Sequence, residues 1–95
     1  QRWIASKAEA ERGEDLHLLQ LAGEISGLEY QVKFLLSENP KITITIDFGY
    51  WEQKTGNRIY EDAKGVLTRD TRTKLAWLKE KYGLDVKLIR QKAIG

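Results

Sequence analysis

Two adjacent stretches decide the fold, KITITIDFGYW at residues 41–51 and RIYEDAK at residues 58–64. Apolar and polar residues alternate along the first from Ile42 to Phe48, a period of two that predicts a β-strand. The intervening residues 54–57 (KTGN) are a turn signal. The second stretch is therefore predicted to return alongside the first as the other strand of a hairpin, closed by Gly65.

The flanking sequence adds two helices and two strands around this hairpin. Apolar residues at helical spacing predict a helix over residues 3–22, with Gly23 as its stop, and a second over residues 70–82, ended by Gly83. Residues 28–36 and 85–89 read as further strands. The predicted order is helix, three-strand antiparallel meander, helix, strand. This is a mixed α/β (α+β) layer fold in a single domain over residues 1–95.

Composition excludes several classes of protein and of site. The 95 residues contain no cysteine, which rules out disulfides and cysteine zinc sites, and His17 is the only histidine. No glycine-rich phosphate loop, membrane span or secretory signal is present. We therefore expect an intracellular protein, and take the chain to be the ordered part of a slightly longer one. Its core is small, so a homodimer is possible.

Charge is divided unevenly along the chain. Residues 1–63 carry 7 Lys and Arg against 11 Asp and Glu, giving −4, and residues 64–95 carry 9 against 3, giving +6. A basic segment can hold a polyanion such as nucleic acid. The simpler interpretation is a solvated helix with ordinary surface lysines, and charge alone favours it.

Three residues of the hairpin combine into a possible catalytic group. Antiparallel pairing can bring Asp47 beside Asp62, and Lys64 shares a face with Asp62 because the two are two residues apart. Paired carboxylates hold Mg²⁺, and an adjacent lysine can stabilise charge on a phosphate. We expect these side chains on a solvent-open cleft. The alternative is two exposed acids at a hairpin edge with a lysine nearby.

Glu9 is a further candidate, because it borders the packed stripe of the first helix. A carboxylate there requires a partner. Arg12, one turn away, is the structural alternative, and the hairpin carboxylates with a metal are the functional one. Glu11 takes the place of Glu9 if the helix is rotated.

An ordered series of motifs resembles a family of short phage and prophage proteins, long filed as a domain of unknown function. That family resembles the PD-(D/E)XK nuclease superfamily, and the likeness covers roughly residues 6–89. The series comprises SKAEAER at 6–12, Leu16, GEI at 23–25, LEYQVKF at 28–34, IDF at 46–48, EDAKG at 61–65 and Thr68.

The resemblance implies a restriction-endonuclease-like core and a phage-encoded, Mg²⁺- or Mn²⁺-dependent DNA endonuclease, with branched or junction DNA as one substrate class. It implies catalysis by Asp47, Asp62, Lys64 and Glu9, with the three carboxylates binding the metal. Gln31 matches the family's glutamine on the first strand. The chain departs from the motif at Ile46, where the family has proline. Glu61 adjoins Asp62, but strand alternation turns it the other way, so Asp62 is preferred.

Nucleic acid is expected on the second helix. Four basic residues are predicted to share one phosphate-binding face: Arg69, Arg72, Lys74 and Lys79. The enzyme reading places the protein in the cytoplasm of a bacterial host, with DNA as its partner and no membrane. Two alternatives stay open: a binding module of the same fold without turnover, and an interaction protein that pairs through the hairpin.

Overall fold

The computed structural model describes residues 7–63 and 67–89. The elements follow the predicted order, and their bounds are α1 (Lys7–Leu21), β1 (Ile25–Glu38), β2 (Lys41–Glu52), β3 (Arg58–Ala63), α2 (Arg69–Tyr82) and β4 (Val86–Ile89). The chain is thus a mixed α+β structure with two helices and four strands in the described ranges.

The four strands form one mixed sheet in the order β1-β2-β3-β4. β1, β2 and β3 are antiparallel neighbours, as the predicted meander requires, and β4 pairs in parallel with β3 after the α2 crossover. β1 is longer than the predicted strand of residues 28–36. It passes through a register shift between Ser26 and Glu29 that the apolar pattern does not reveal.

Glycines end both helices, as predicted. Gly23 has φ 81° and follows α1, where Gly23 N–H bonds to Gln20 O and Glu24 N–H to Leu19 O, both at 3.0 Å. This pair of hydrogen bonds is the Schellman motif, which requires a residue in the left-handed conformation just after the helix. Gly83 has φ 71° at the end of α2. No helix within residues 7–63 and 67–89 is long and apolar enough to cross a bilayer.

Two apolar clusters cover opposite faces of the sheet, one beneath each helix. The first contains Leu16, Ile25, Phe48 and Tyr50, and the second contains Leu36, Ile44, Ile46 and Leu78. Ile59 packs against the first and Tyr60 against the second. Because neighbouring residues in a strand point to opposite faces, the clusters lie on opposite sides.

The apolar residues of β2 are divided between the two clusters. Ile46 belongs to the α2 cluster and Phe48 to the α1 cluster, although the two have the same parity. The change of layer falls where regular pairing of β2 with β3 ends, at Phe48. All residues from 46 to 50 are buried. Asp47 lies in the middle of this run.

Candidate active site

Hydrogen bonds of Asp47 and Asp62 connect β2 and β3 at the point where regular pairing of these strands ends. Regular pairing ends at Phe48 and Glu61, and the next position would set Asp47 opposite Asp62. There the carboxylates replace the backbone bonds. Asp62 Oδ1 accepts from Asp47 N–H at 2.9 Å, and Asp47 Oδ2 accepts from Ala63 N–H at 2.8 Å. The structure therefore brings together the two acids that the sequence predicted as neighbours.

Both carboxylates are buried, which corrects the expectation of a solvent-open cleft. The exposed fraction is 8% for Asp47 and 1% for Asp62. A buried carboxylate is stabilised by hydrogen bonds from backbone N–H groups. These side chains therefore hold the two strands together.

Gln31 links Glu9 to this pair. Its Nε2 donates to Glu9 Oε2 at 2.9 Å and to Asp47 Oδ1 at 3.3 Å. Gln31 has φ 54°, a left-handed conformation that side-chain-bearing residues rarely adopt. Such strained positions persist where the surrounding structure fixes them, and they concentrate at functional sites. Glu9 is 8% exposed while Glu11 is exposed, so the predicted rotation of α1 is confirmed.

Arg12 pairs with Glu61 and not with Glu9, against the structural alternative. Arg12 Nε and Nη2 bond to the Glu61 carboxylate at 2.8 and 2.9 Å, and the Tyr50 hydroxyl donates to the same group. Glu61 is fully buried. Together with Ile59 it faces α1, as strand alternation predicted. Sequence reasoning did not foresee this network, because its members are 11 and 49 residues apart.

The network shifts the pKa of each of its members. Burial would raise the pKa of Glu61, but hydrogen bonds from Arg12 and Tyr50 outweigh burial and leave it below its usual range. The hydrogen bond with Glu61 raises the pKa of Arg12. Burial, with the same carboxylate, raises the pKa of the Tyr50 hydroxyl. All three groups therefore hold their ordinary charge states at neutral pH, which indicates a structural role.

Two members of the predicted catalytic set remain, Lys64 and Glu9. Lys64 lies outside the described residues. Among residues 7–63 and 67–89, no three side chains of His, Cys, Asp or Glu come together as a metal-binding group. Glu9 is connected to Asp47 through the Gln31 amide, and a role as third ligand stays a prediction. Two carboxylates with waters and phosphate oxygens are a common Mg²⁺ site, and Asp47 and Asp62 fit it.

A polar cavity of about 280 Å³ adjoins Asp62 on the α2 side. It is lined by Thr43, Ile44, Thr45, Asp62, Asp70, Thr71 and Lys74. Thr43 and Thr45 are the polar positions of the β2 alternation, and Thr71 and Lys74 are three residues apart on a helix. These two spacings were the available signal for the cavity, but nothing in the sequence placed them against each other.

The four basic residues of α2 do not share one face, contrary to prediction. At 3.6 residues per turn, Lys74 lies about 140–160° around the helix from Arg72 and Lys79. Arg69, Arg72 and Lys79 are exposed, whereas Lys74 is half-buried at the cavity. Lys79 bonds to both oxygens of Asp85 at 2.7 Å. Arg69 and Arg72 are the arginines that α2 presents to solvent near the cavity.

Comparison of the chain with known proteins identifies its family and assigns no activity. The family described as "Protein of unknown function (DUF1064)" matches residues 2–93. The chain belongs to this family. No curated protein and no solved structure matches it.

Proposed function

We propose that this member of an uncharacterised family is a metal-dependent DNA endonuclease with a restriction-endonuclease-like core. The observation that carries the proposal is the joining of Asp47 and Asp62 where β2 and β3 separate, with Glu9 connected through Gln31. The order of elements, and an acid on β2 beside the acid of β3 that begins an acid-x-lysine motif in the sequence, agree with the resemblance to PD-(D/E)XK nucleases. The phage origin implied by that resemblance belongs to the same proposal.

The donor set suits a hard divalent cation. Two adjacent carboxylates repel each other unless a cation or a proton lies between them. Asp47 and Asp62 would hold Mg²⁺ or Mn²⁺. Bound there, the ion would supply a Lewis acid for the phosphate and lower the pKa of an attacking water.

The chain's own residues do the remaining work. The backbone bonds to Asp47 and Asp62 fix both carboxylates before any ligand arrives, a preorganisation that catalysis requires. Gln31 donates a hydrogen bond to Asp47 and another to Glu9, and so fixes the two carboxylates relative to each other. Lys64, two residues after Asp62, is assigned the stabilisation of negative charge on the phosphate. This assignment follows the sequence motif.

DNA is proposed to approach along the first turns of α2. Arg69 and Arg72 are exposed there, and their neighbours Asp70 and Thr71 line the cavity beside Asp62. Arginine forms bidentate contacts with phosphate, and its charge releases counterions from DNA. The basic surface therefore lies beside the carboxylates that would hold the metal.

One experiment tests the proposal directly. Plasmid, single-stranded and four-way-junction DNA are incubated with the full chain in Mg²⁺, Mn²⁺ or EDTA. We expect cleavage of at least one substrate with either metal and none in EDTA, and loss of cleavage in Asp62→Asn. Asp15→Asn is the matched control, since Asp15 is an exposed acid on α1. If wild-type protein binds DNA without cutting it, the binding-module alternative would replace the proposed enzyme function.

A further inference from the structure

We propose that the cavity beside Asp62 is a subsite for the DNA phosphate that neighbours the one cleaved, with Lys74 as its cation. This inference rests on the proposed function. It assigns Lys74 to the active site and separates it from the exposed basic surface of Arg69 and Arg72.

The walls of the cavity supply the groups that bind a phosphate. Among the residues that line it are Thr43, Thr45, Thr71 and Lys74, whose side chains carry hydroxyls and an ammonium group. A phosphate oxygen accepts from both kinds of donor, and bonds between charged partners are the stronger ones. The volume of about 280 Å³ admits a phosphate group with bound water.

The Thr71 hydroxyl is oriented for this task. Thr68 Oγ1 donates to Thr71 Oγ1 at 3.0 Å and accepts from Thr71 N–H at 3.2 Å. This contact fixes the Thr71 hydroxyl beside Thr68, and a hydroxyl can accept from one neighbour while it donates to a phosphate oxygen. The cavity is the polar space that this hydroxyl lines.

Lys74 is held near the cavity without being fully engaged. Its amine is 3.5 Å from Asp70 Oδ2, and the Lys74 side chain is 33% exposed and that of Asp70 78%. An exposed pair one helical turn apart is weak. An ammonium group has three donors, so a phosphate can take the others while Asp70 keeps the amine in place.

Asp62 defines which phosphate the cavity receives. Its carboxylate lines the cavity and also accepts from Asp47 N–H, so the subsite and the proposed metal site share one residue. A phosphate held by Lys74 would therefore lie beside the phosphate at the metal. The subsite positions the substrate and takes no part in bond breaking.

The test measures DNA binding in EDTA, where nothing is cut. Lys74→Ala should flatten the plot of log affinity against log salt by about 0.9, the contribution of one phosphate contact. Between 50 and 200 mM salt, the wild-type advantage over Lys74→Ala should then shrink about three- to fourfold. Lys74→Arg should restore the slope. Lys54→Ala, at the hairpin turn, is the matched control and should leave the slope unchanged.

Neutral methylphosphonates placed singly along the strand locate the contact. For the wild type, one substitution beside the cut should weaken binding, and the same substitution should have no further effect on Lys74→Ala. Thr71→Val should weaken binding at that position too. Wild-type cutting with an unaltered slope and pattern in Lys74→Ala would overturn the subsite alone. Wild-type protein that neither binds nor cuts DNA would overturn the proposed function as well.

Discussion

Asp47 and Asp62 each accept a backbone N–H from the other's strand, at 2.8 and 2.9 Å. Each carboxylate is therefore a part of the sheet and a proposed metal ligand at once. This double role decides how the site should respond to substitution.

Asparagine at either position should remove cleavage and also weaken the fold. Each change deletes a negative charge from the proposed Mg²⁺ site. At Asp47 it also turns one acceptor into a donor, because both oxygens accept hydrogen bonds. We expect a loss of about 1–3 kcal/mol in the free energy of unfolding, measured by urea denaturation. Binding to DNA in EDTA should persist below the lowered Tm. Full cutting by Asp47→Asn would remove it from the site.

Lys64→Ala should lower turnover about 100-fold or more, the usual effect of losing a group that stabilises transition-state charge. Affinity for DNA should change little, because other cations carry the phosphate contacts. Single-turnover cleavage and binding in EDTA separate the two effects. Lys64→Arg, which keeps the charge, should retain more activity than Lys64→Ala. Equal activity of wild type and Lys64→Ala would contradict the assignment.

Gln31→Ala should lower the apparent affinity for Mg²⁺ about 10–100-fold, as substitutions behind a metal ligand do. The change removes the amide that joins Glu9 to Asp47. Gln31→Asn is the informative partner, since asparagine tolerates the positive φ but its amide is one methylene shorter. If backbone strain alone matters, Asn will behave like the wild type. If amide placement matters, both variants will need more Mg²⁺ for half-maximal cleavage.

The buried ion pair should make stability fall in acid. The pKa of Glu61 is lowered from its ordinary value of 4.5, so its contribution is present above that pH and is lost as pH falls through the folded value. Glu61→Gln should be less stable at pH 7 and show a flatter acid dependence, measured by thermal melts from pH 7 to 3. Glu80→Gln, an exposed acid, is the control. An unchanged acid slope in Glu61→Gln would exclude this pair as its source.

Charge reversal should distinguish the two kinds of cation on α2. Arg72→Glu should reduce both the affinity for DNA and its salt dependence, because the side chain is exposed beside the cavity. Lys79→Glu should have a smaller effect, since Lys79 is already paired with Asp85. Titrations at several salt concentrations measure both. Reversal of Arg72 that changed neither quantity would place the DNA elsewhere.

The local pattern was sufficient for the elements and for the pairing of Asp47 with Asp62. Period-two alternation set β2, and the turn at residues 54–57 set the hairpin that brings the acids together. The burial of Asp47 was not predictable in this way. It depends on both helices covering the middle of β2, which is a tertiary property.

The partner of Arg12 lay beyond the sequence for the same reason, whereas the division of the α2 cations did so only in part. The pairing of Arg12 with Glu61 links a helix to a strand 49 residues away, and it redirected the partner expected for Glu9. The division of the α2 cations followed from the rotation of that helix against β2, which puts Lys74 with Thr43 and Thr45. The spacing within α2 was itself misread, because 3.6 residues per turn already separates Lys74 from Arg72 and Lys79.

The left-handed conformation of Gln31 in β1 also affects whether a second copy of the chain can pair with this sheet. In the sheet as described, β1 lies at an edge, and its 14 residues offer backbone groups to any strand that approaches. Gly27 and Gln31 have φ 61° and 54°, and each interrupts the regular row of donors and acceptors along that edge. An incoming strand therefore finds no long matching template. The conformation that turns the Gln31 amide toward the carboxylates is therefore also expected to limit strand pairing along this edge.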